Sequence, residues 1–141
     1  MRSASDIVVL LDLHPHPEGG FFRETFRQHS GGGARGTLAL IYYLLPETHR
    51  SAWHRIDATE VWHFVSGAPL CLTLSSAGCG TRSTVLGTRM EEGESPHVVV
   101  EPLTWMSAVS LGAWTLVSCA TAPAFEFGGF ELAPPGWHPE G

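Results

Sequence analysis

The sequence contains no lysine. Its eight basic residues are all arginines and are outnumbered by fourteen Asp and Glu residues, so the formal net charge is −6 at pH 7. Proteins that bind nucleic acids usually present a dense basic surface to the phosphate backbone. A chain with so few cations predicts no nucleic-acid partner.

Cysteine is also scarce. Cys71, Cys79 and Cys119 are an odd number of residues, and no two of them form a CxxC pair. This pattern fits reduced thiols in a cytoplasmic protein better than a disulfide framework or a cysteine-based zinc site. Cys119 falls within an apolar segment, where a thiol is more often a small buried side chain than a nucleophile.

Long apolar runs are missing as well. The apolar segment at residues 7–11 is interrupted by Asp12, far short of the roughly 20 residues that span a bilayer. No small-residue cleavage site follows it, so a secretion signal is not indicated. We therefore expect neither a membrane partner nor export, in agreement with a cytoplasmic location.

Glycine and proline, in contrast, are abundant, with 16 and 10 residues. They separate short segments rich in β-branched and aromatic residues, a pattern typical of strands joined by turns. About ten strands are predicted after a short amphipathic helix at residues 3–13, which Ser3 or Ser5 can cap. No repeat or linker is evident, so residues 1–141 are expected to form one all-β domain, a sandwich or a barrel.

Turn-like residues also suggest which strands pair. Residues 105–111 and 114–120 are predicted to form a hairpin about Gly112. Residues 83–86 and 98–100 are predicted to flank an acidic, solvated hairpin tip.

Residues 21–28 form the first predicted long strand. Alternation of side chains places Phe22, Glu24 and Phe26 on one face and Arg23 on the other. A guanidinium group can hold a phosphate or carboxylate with two parallel hydrogen bonds, so Arg23 is a candidate ligand-binding residue. A surface or interface salt bridge is the alternative role for Arg23.

Chemically active residues are concentrated in the stretch WHRIDATEVWHFVSG, residues 53–67. Residues 60–65 have strand character, so Glu60 shares a face with Trp62 and His63 points to the opposite face. A lone carboxylate beside large aromatic side chains is costly to bury unless that face lines a pocket. The stretch therefore predicts a β-lined cavity next to Glu60.

His54 is the natural partner of Glu60, from which a predicted turn at residues 57–59 separates it. An imidazole of near-neutral pKa, oriented by a carboxylate, is suited to moving protons. The pair is interpreted as an acid/base centre or as two ligands of a weak metal site. A purely structural hydrogen bond is the third interpretation.

Several aromatic residues are candidates for the wall of the same cavity. Tyr43, Trp62, Trp105 and Phe125 are first of all expected in the core, and aromatic side chains also commonly line pockets for sugars and heterocycles. These four are therefore retained as candidate ligand-binding residues.

The segment HPHPEGG, residues 14–20, is expected to be a rigid loop, because prolines and glycines interrupt any regular element. Its alternating His14, His16 and Glu18 suggest metal binding, but the favoured role is closing one end of the barrel or forming a dimer contact. Glu18 is kept as a candidate ligand-binding residue because loops often carry function.

Motifs along the chain resemble a known family. LDLHPHPEGGFFRETFR is similar to the opening signature of the small-cupin family cupin_5, formerly a domain of unknown function. The resemblance continues through LALIYYLLPE, SAWHRIDATEVWHFVSGAPLCL, VVVEPLTWMSAV and LVSCATAPAFEFGGFEL, covering about residues 5–132 and leaving a Pro-rich tail at 133–141. It implies a double-stranded β-helix, the jelly-roll barrel of cupins, and commonly a homodimer.

The wider cupin pattern places two His and one Glu in a first motif and a third His in a second motif, all binding one metal. By this resemblance His54 matches the first His and Glu60 the Glu. Ile56 stands at the second His, and Met106 or Ser107 at the third. A divalent ion such as Ni, Zn, Fe or Mn would have an incomplete set of ligands. The expectation therefore shifts towards metal-free acid/base chemistry.

Together these residues predict a small cupin enzyme that acts on a small polar, sugar-like molecule by proton transfer, as an epimerase or isomerase does. In this hypothesis His54 is the general base and Glu60 orients it, while Arg23 holds an anionic group and Trp62 stacks on the ligand. The alternatives are a non-catalytic small-molecule-binding barrel and a metal-dependent cupin enzyme.

Overall fold

The computed structural model describes residues 2–140. One α-helix and eleven strands make up the regular structure, together with three short 3-10 turns. In chain order they are α1 (Ala4–Leu11), β1 (His14–Pro15), β2 (Phe21–Arg27), β3 (Ala39–Pro46), β4 (Arg50–Ile56), β5 (Thr59–Gly67), β6 (Leu70–Ser75), β7 (Arg82–Leu86), β8 (His97–Val100), β9 (Trp105–Ser110), β10 (Trp114–Ala122) and β11 (Phe130–Leu132). The all-β prediction with a single N-terminal helix is confirmed.

The strands form two antiparallel sheets. One sheet has six strands in the order β1-β2-β3-β10-β5-β8, and the other has five in the order β11-β4-β9-β6-β7. Successive strands often belong to different sheets, as β4 and β5 do, so the chain passes repeatedly between the two layers. The result is the jelly-roll arrangement that was predicted, built as two facing sheets.

The main core fills the space between the sheets. On β6, Leu70, Leu72 and Leu74 are buried while the residues between them are partly exposed, as the two-residue period of a strand requires. Each such leucine contributes about 1.5–3 kcal/mol by leaving water. They pack with the buried aromatic and aliphatic side chains Tyr43, Leu45, Trp62, Leu86, Val100, Met106 and Val117.

The helix α1 covers the outer face of the six-stranded sheet. It begins after Ser3, whose hydroxyl accepts the backbone N–H of Asp6, while the Asp6 carboxylate accepts the backbone N–H of Ser3. Ile7 is its buried residue and packs in a second cluster with Leu44 and Trp114. No helix within residues 2–140 is long and apolar enough to cross a membrane.

Both predicted hairpins are wrong. The strands β9 and β10 flank Gly112, but β9 pairs with β4 and β6 while β10 pairs with β3 and β5. The strands β7 and β8 also lie in different sheets, with a 3-10 turn at Met90–Glu92 between them. A short polar connection can close a hairpin or carry the chain across the core, and its local residues do not distinguish these outcomes.

The Pro-rich tail is part of the packed structure. The ring centroid of Trp137 lies 4.6 Å from that of Trp105 and 6.0 Å from that of Trp53. The guanidinium of Arg55 lies over the Trp105 ring, 4.5 Å from its centroid. The tail therefore covers the outer surface of the five-stranded sheet.

Two glycines with similar backbone angles allow a test of packing around the loop before β2. Gly20 has a φ of +75°, and a Cβ there would lie 2.7 Å from the Leu44 carbonyl oxygen and 2.9 Å from the Tyr43 hydroxyl. Gly32 has a φ of +70° but open space around it. Both Gly→Ala changes carry the backbone cost of about 1 kcal/mol, so only G20A adds a clash.

We expect G20A to lower the free energy of unfolding by at least about 2 kcal/mol more than G32A does, measured by urea denaturation. Equal losses in the two variants would show that the loop is not held tightly against β3.

Candidate functional site

A cavity of about 280 Å³ lies between the two sheets. Its polar side chains come from the loop before β2, from β2, β4, β5 and β10, and from the segment that follows β10. Its apolar wall consists of Phe22, Ala39, Ile41, Ile56, Cys119, Phe125, Phe127 and Phe130. A mainly apolar pocket with a few convergent polar groups is typical of a small-molecule site.

A β-bulge turns His54 into this cavity. Ser51 pairs with Ala108 and His54 with Met106, so β4 has one residue more than β9 over this span. The extra residue puts His54 on the same inward face as Ser51, although they are three positions apart. Both side chains are consequently buried.

Hydrogen bonding fixes the tautomer of His54. Its Nδ1 lies 2.8 Å from the carbonyl oxygen of Ala52, which can only accept, so Nδ1 carries the proton and Nε2 keeps a free lone pair. The ring stacks on Phe130 with centroids 5.6 Å apart. Burial lowers the pKa of His54, although Glu60 and the Ala52 hydrogen bond oppose this shift. His54 is therefore a neutral base at neutral pH.

Glu60 faces the cavity from the opposite sheet. Its Oε1 accepts a hydrogen bond of 3.1 Å from the indole Nε1 of Trp62. Burial raises the pKa of Glu60 to about 7, with a further increase from Glu18 and opposing contributions from His54 and Trp62. A carboxyl group that titrates near neutral pH can both give and take a proton under physiological conditions.

The predicted pair of His54 and Glu60 thus lines one cavity, but the two side chains are not hydrogen-bonded to each other within the described residues. The Ala52 carbonyl, and not Glu60, orients the imidazole. The two side chains face the cavity from opposite sheets, His54 from β4 and Glu60 from β5.

Glu18 is the carboxyl group in contact with His54. Its Oε2 lies 3.3 Å from His54 Nδ1 and accepts the hydroxyl hydrogen bond of Ser51. Burial raises the pKa of Glu18 to about 8, against the opposing hydrogen bonds from Ser51 and Tyr43. Glu18 is therefore mainly a protonated, uncharged acid at neutral pH.

His16 lines the same cavity and was not among the predicted site residues. Its Nδ1 accepts the backbone N–H of Glu18 at 3.1 Å, so its proton is on Nε2, the tautomer opposite to that of His54. Burial lowers the pKa of His16 to about 4, and the nearby His54 contributes to this decrease. The cavity therefore holds one imidazole with a bare Nε2 and one with a protonated Nε2. His14, by contrast, is exposed and lies 3.6 Å from Asp12.

A second bulge determines which basic residue reaches the cavity. The pairing of β2 with β3 shifts between Glu24 and Phe26, so Glu24 and Arg27 both line the cavity while Phe26 is 48% exposed. The predicted face with Phe22, Glu24 and Phe26 together is thus wrong at Phe26. Nε and Nη2 of Arg27 are engaged, with two hydrogen bonds of 2.8 Å to Glu24 and one of 2.7 Å to the Phe125 carbonyl.

Two predicted ligand-binding residues lie away from the cavity. Arg23 is exposed on the other face of β2, and its Nη1 lies 3.4 Å from the Leu11 carbonyl oxygen. Trp105 packs against Trp137 and Arg55 on the outside of the five-stranded sheet. Alternation along β2 gave the correct face for Arg23, but only the assembled sheets show which face is the inner one.

The other four candidates lie in or directly behind the cavity. Glu18 and Phe125 line it. Tyr43 and Trp62 are 2% and 1% exposed and pack edge to face with centroids 5.9 Å apart. Because its ring is enclosed, Trp62 supports the Glu60 carboxyl group and is not placed to stack on a ligand. Tyr43 donates a hydrogen bond of 2.6 Å to the Gly19 carbonyl and so fixes the loop that carries Glu18.

The side chains do not fit the usual cupin metal site. Ser107, one of the two residues that can stand at the third His, has its hydroxyl bound to Arg50 and to the Ser51 carbonyl. Ile56 lines the cavity at the position of the second His, and Met106, the other residue for the third position, pairs with His54. Neither can supply the N or O ligand that such an ion takes there. Within residues 2–140, no group of three or more His, Cys, Asp or Glu is arranged to hold a metal ion.

Comparison with known proteins places this chain in a family. It belongs to Cupin_5, described as cupin superfamily (DUF985), whose model matches residues 5–133. The resemblance seen in the sequence is confirmed over nearly the whole chain. Among curated proteins, none matches the sequence.

Solved structures show the same fold. An X-ray structure of a protein from Shewanella oneidensis is 31% identical, with a TM-score of 0.89, and the match covers 94% of this chain and 85% of that one. A hypothetical protein from Leishmania major is 25% identical, with a TM-score of 0.86 and coverage of 96% and 90%. Oxalate decarboxylase from Bacillus subtilis, an enzyme with Mn(II) centres, shares the fold at 14% identity and a TM-score of 0.66. The match covers 86% of this chain and 30% of the decarboxylase.

The raised pKa of Glu60 has a consequence for stability that can be measured. A buried acid with its pKa raised from 4.5 to about 7 stabilises the fold at low pH, and this contribution is lost as the pH rises towards 7. Glu60→Gln keeps an oxygen for the Trp62 indole but cannot ionise. Between about pH 5 and pH 8, we expect the variant to gain up to about 3 kcal/mol relative to the native chain.

Urea denaturation across this pH range measures the difference, with the exposed Glu91→Gln as the matched control. Parallel pH curves for the native chain and Glu60→Gln would contradict the raised pKa of Glu60.

The incomplete ligand set predicts the metal content of the protein. Because Ile56 and Met106 replace two ligands, we expect sub-stoichiometric Ni, Zn, Fe and Mn in protein purified without chelators. Elemental analysis of such protein checks this expectation, and one equivalent of any of the four metals would contradict it.

Proposed function

We propose that this chain is a small cupin enzyme that transfers protons on a small polar, sugar-like molecule in the cavity, as an epimerase or isomerase does. The observation that carries the proposal is the state of His54. The Nδ1–H group donates a hydrogen bond to the Ala52 carbonyl, and burial lowers the pKa of His54. Nε2 is therefore an unprotonated base at neutral pH. A base of this kind is what the removal of a proton next to a carbonyl group requires.

Glu60 supplies the matching acid in this proposal. With a pKa of about 7, a large fraction of Glu60 is protonated at neutral pH and can donate to a carbonyl oxygen. His54 Nε2 would take the proton from the neighbouring carbon, Glu60 would protonate the oxygen, and an enediol would result. Return of the proton from His54 to carbon, and of the hydroxyl proton to Glu60, completes the exchange.

Glu18 and His16 support this step without net charge. Glu18 is mainly protonated and His16 is neutral at pH 7, so neither places a fixed charge beside the base. When His54 becomes an imidazolium, the Glu18 carboxyl oxygen 3.3 Å from Nδ1 and the Ala52 carbonyl oxygen would both stabilise the cation through their negative partial charges. Glu18 is therefore the carboxyl group beside the base, the place that the sequence analysis gave to Glu60.

The aromatic wall favours a second candidate function, non-catalytic binding. Phe22, Phe125, Phe127 and Phe130 line the cavity and could hold a ligand that is never turned over. This function predicts that a ligand stabilises the protein against heat without hydrogen exchange, and that Glu60→Gln still binds it. A metal-dependent reaction is the third candidate, for which the Mn(II) centres of the distant oxalate decarboxylase are the support.

Loss of the base tests the proposed reaction. We expect the native protein to exchange hydrogen for deuterium next to the carbonyl of a keto-sugar in D₂O, measured by NMR. Removing a general base typically lowers a rate by about 10²- to 10⁴-fold, so His54→Ala should show at least a hundredfold slower exchange.

His63→Ala is the matched control, because His63 is exposed beside His97 on the other face of β5. Exchange that is equally fast in the native chain and in His54→Ala would overturn the assignment of His54 as the base.

A further inference from the structure

Thr121 has a buried hydroxyl group with no hydrogen-bond partner. It is 5% exposed, it lines the cavity, and its Oγ1 is one of two buried side-chain polar atoms in residues 2–140 without a partner. The other is the hydroxyl of Ser75, which is outside the cavity lining. Buried polar groups are nearly always paired, so an unpaired hydroxyl at a cavity is a candidate contact for a molecule that enters it.

The sheet register places Thr121 next to Glu60. The two residues are direct cross-strand partners on β10 and β5, and both line the cavity. Side chains at directly paired positions have Cβ atoms about 5 Å apart, so the hydroxyl and the carboxyl group can contact the same ligand atom. Thr121 and Glu60 are therefore neighbouring polar residues on one patch of the cavity wall.

The charges around the cavity argue against an anionic ligand. Four glutamates line it, Glu18, Glu24, Glu60 and Glu126, and Arg27 is the one arginine among the lining residues described. Nε and Nη2 of Arg27 are already bound to Glu24 and to the Phe125 carbonyl, so no two of its nitrogens remain free to hold a phosphate or carboxylate in the bidentate manner. Arg35, beyond the rim, is engaged by Asp57 and Glu126.

A cationic ligand is also disfavoured. Glu24 is bound by Arg27, Glu126 is paired with Arg35, and Glu18 accepts the Ser51 hydroxyl, so these three carboxyl groups are already engaged. Burial also raises the pKa values of Glu18 and Glu60, which reduces the negative charge inside the cavity. An uncharged molecule with hydroxyl or carbonyl groups on one edge and an apolar face on the other fits both the polar patch and the phenylalanine wall.

We propose that Thr121 and Glu60 together bind a hydroxyl or carbonyl oxygen of an uncharged, sugar-like ligand, and that Thr121 is a ligand-contacting residue of this site. The proposal rests on the proposed function, because it takes the cavity to be a substrate site. It adds the charge class of the substrate and the residue that recognises its oxygen. It also replaces the anion-binding role that the sequence analysis gave to Arg23.

Three probes with one carbon skeleton test the charge class: D-glucose, the anionic D-gluconate and the cationic D-glucosamine. Dihydroxyacetone and dihydroxyacetone phosphate form a second, smaller pair. Isothermal titration calorimetry with the full-length protein measures each affinity. We expect at least one uncharged probe to bind, at least about tenfold tighter than its charged counterparts.

Two variants test the contact. Thr121→Val replaces the hydroxyl with a methyl group of the same shape, and Thr121→Ser keeps the hydroxyl. We expect Thr121→Val to lose about tenfold in affinity for the uncharged probe, while Thr121→Ser stays within about threefold of the native chain. Without ligand, Thr121→Val should melt at the same or a higher temperature, because it removes a buried unpaired hydroxyl.

The proposal is overturned if neither uncharged probe binds, if a charged probe binds at least as tightly as its uncharged counterpart, or if Thr121→Val binds as the native chain does. These measurements need no turnover. Failure of deuterium exchange alone would remove the proposed reaction and leave the binding result intact, so the two failures are distinguishable.

Discussion

Burial of two carboxyl groups, Glu18 and Glu60, between the sheets is the constraint on which the rest of the site depends. A buried carboxylate is costly unless it is paired or protonated, and here burial raises both pKa values. Neighbouring donors reduce the cost further: Ser51 binds Glu18 and Trp62 binds Glu60. The bulge in β4, which brings Ser51 and His54 to the same face, is part of the same solution.

The two histidines complete an uncharged network. The Nδ1–H of His54 donates a hydrogen bond to a backbone carbonyl, and Nδ1 of His16 accepts one from a backbone N–H. Backbone groups therefore assign opposite tautomers to the two neutral rings. Backbone groups cannot change their donor or acceptor character, which makes this assignment rigid. The cavity can therefore offer a bare ring nitrogen and protonated acids at the same pH, the combination that proton transfer requires.

The sequence was informative where the evidence is local or repeated along the chain. Alternation predicted that His63 points away from Glu60, and family motifs predicted the fold and placed His54 and Glu60 in one cavity. Prediction from the sequence failed where one extra residue in a strand decides which side chain faces inwards, or where the chain crosses between the sheets. The bulge brings Arg27 to the cavity, but it cannot be recognised from the sequence. Arg23 and Arg27 occur in the same FFRETFR strand, and no residue in it indicates which of the two faces inwards.

His16 shows the same limit for a loop. The segment HPHPEGG predicts a rigid loop. Whether its His16 and Glu18 face solvent, a second subunit or the interior depends on contacts with residues that are distant in sequence. Tyr43 and Ser51, which hold Gly19 and Glu18, lie on β3 and β4. Thr121 could not be recognised at all from its neighbours, because its importance comes from pairing with Glu60 and from the lack of any partner for its hydroxyl.

The apolar residues at the metal-ligand positions help to explain the raised pKa of Glu60. A divalent ion beside a carboxyl group favours the ionised form and lowers its pKa, since it is the largest local charge. With Ile56 and Met106 at two ligand positions, the donors that would hold such an ion are missing. Glu60 is then left among apolar side chains, an indole and another acid, where protonation is the way to remove its charge. The same residue type that serves as a metal ligand in the wider cupin pattern is thus a buried acid of raised pKa here, where apolar side chains stand nearby on β4 and β9.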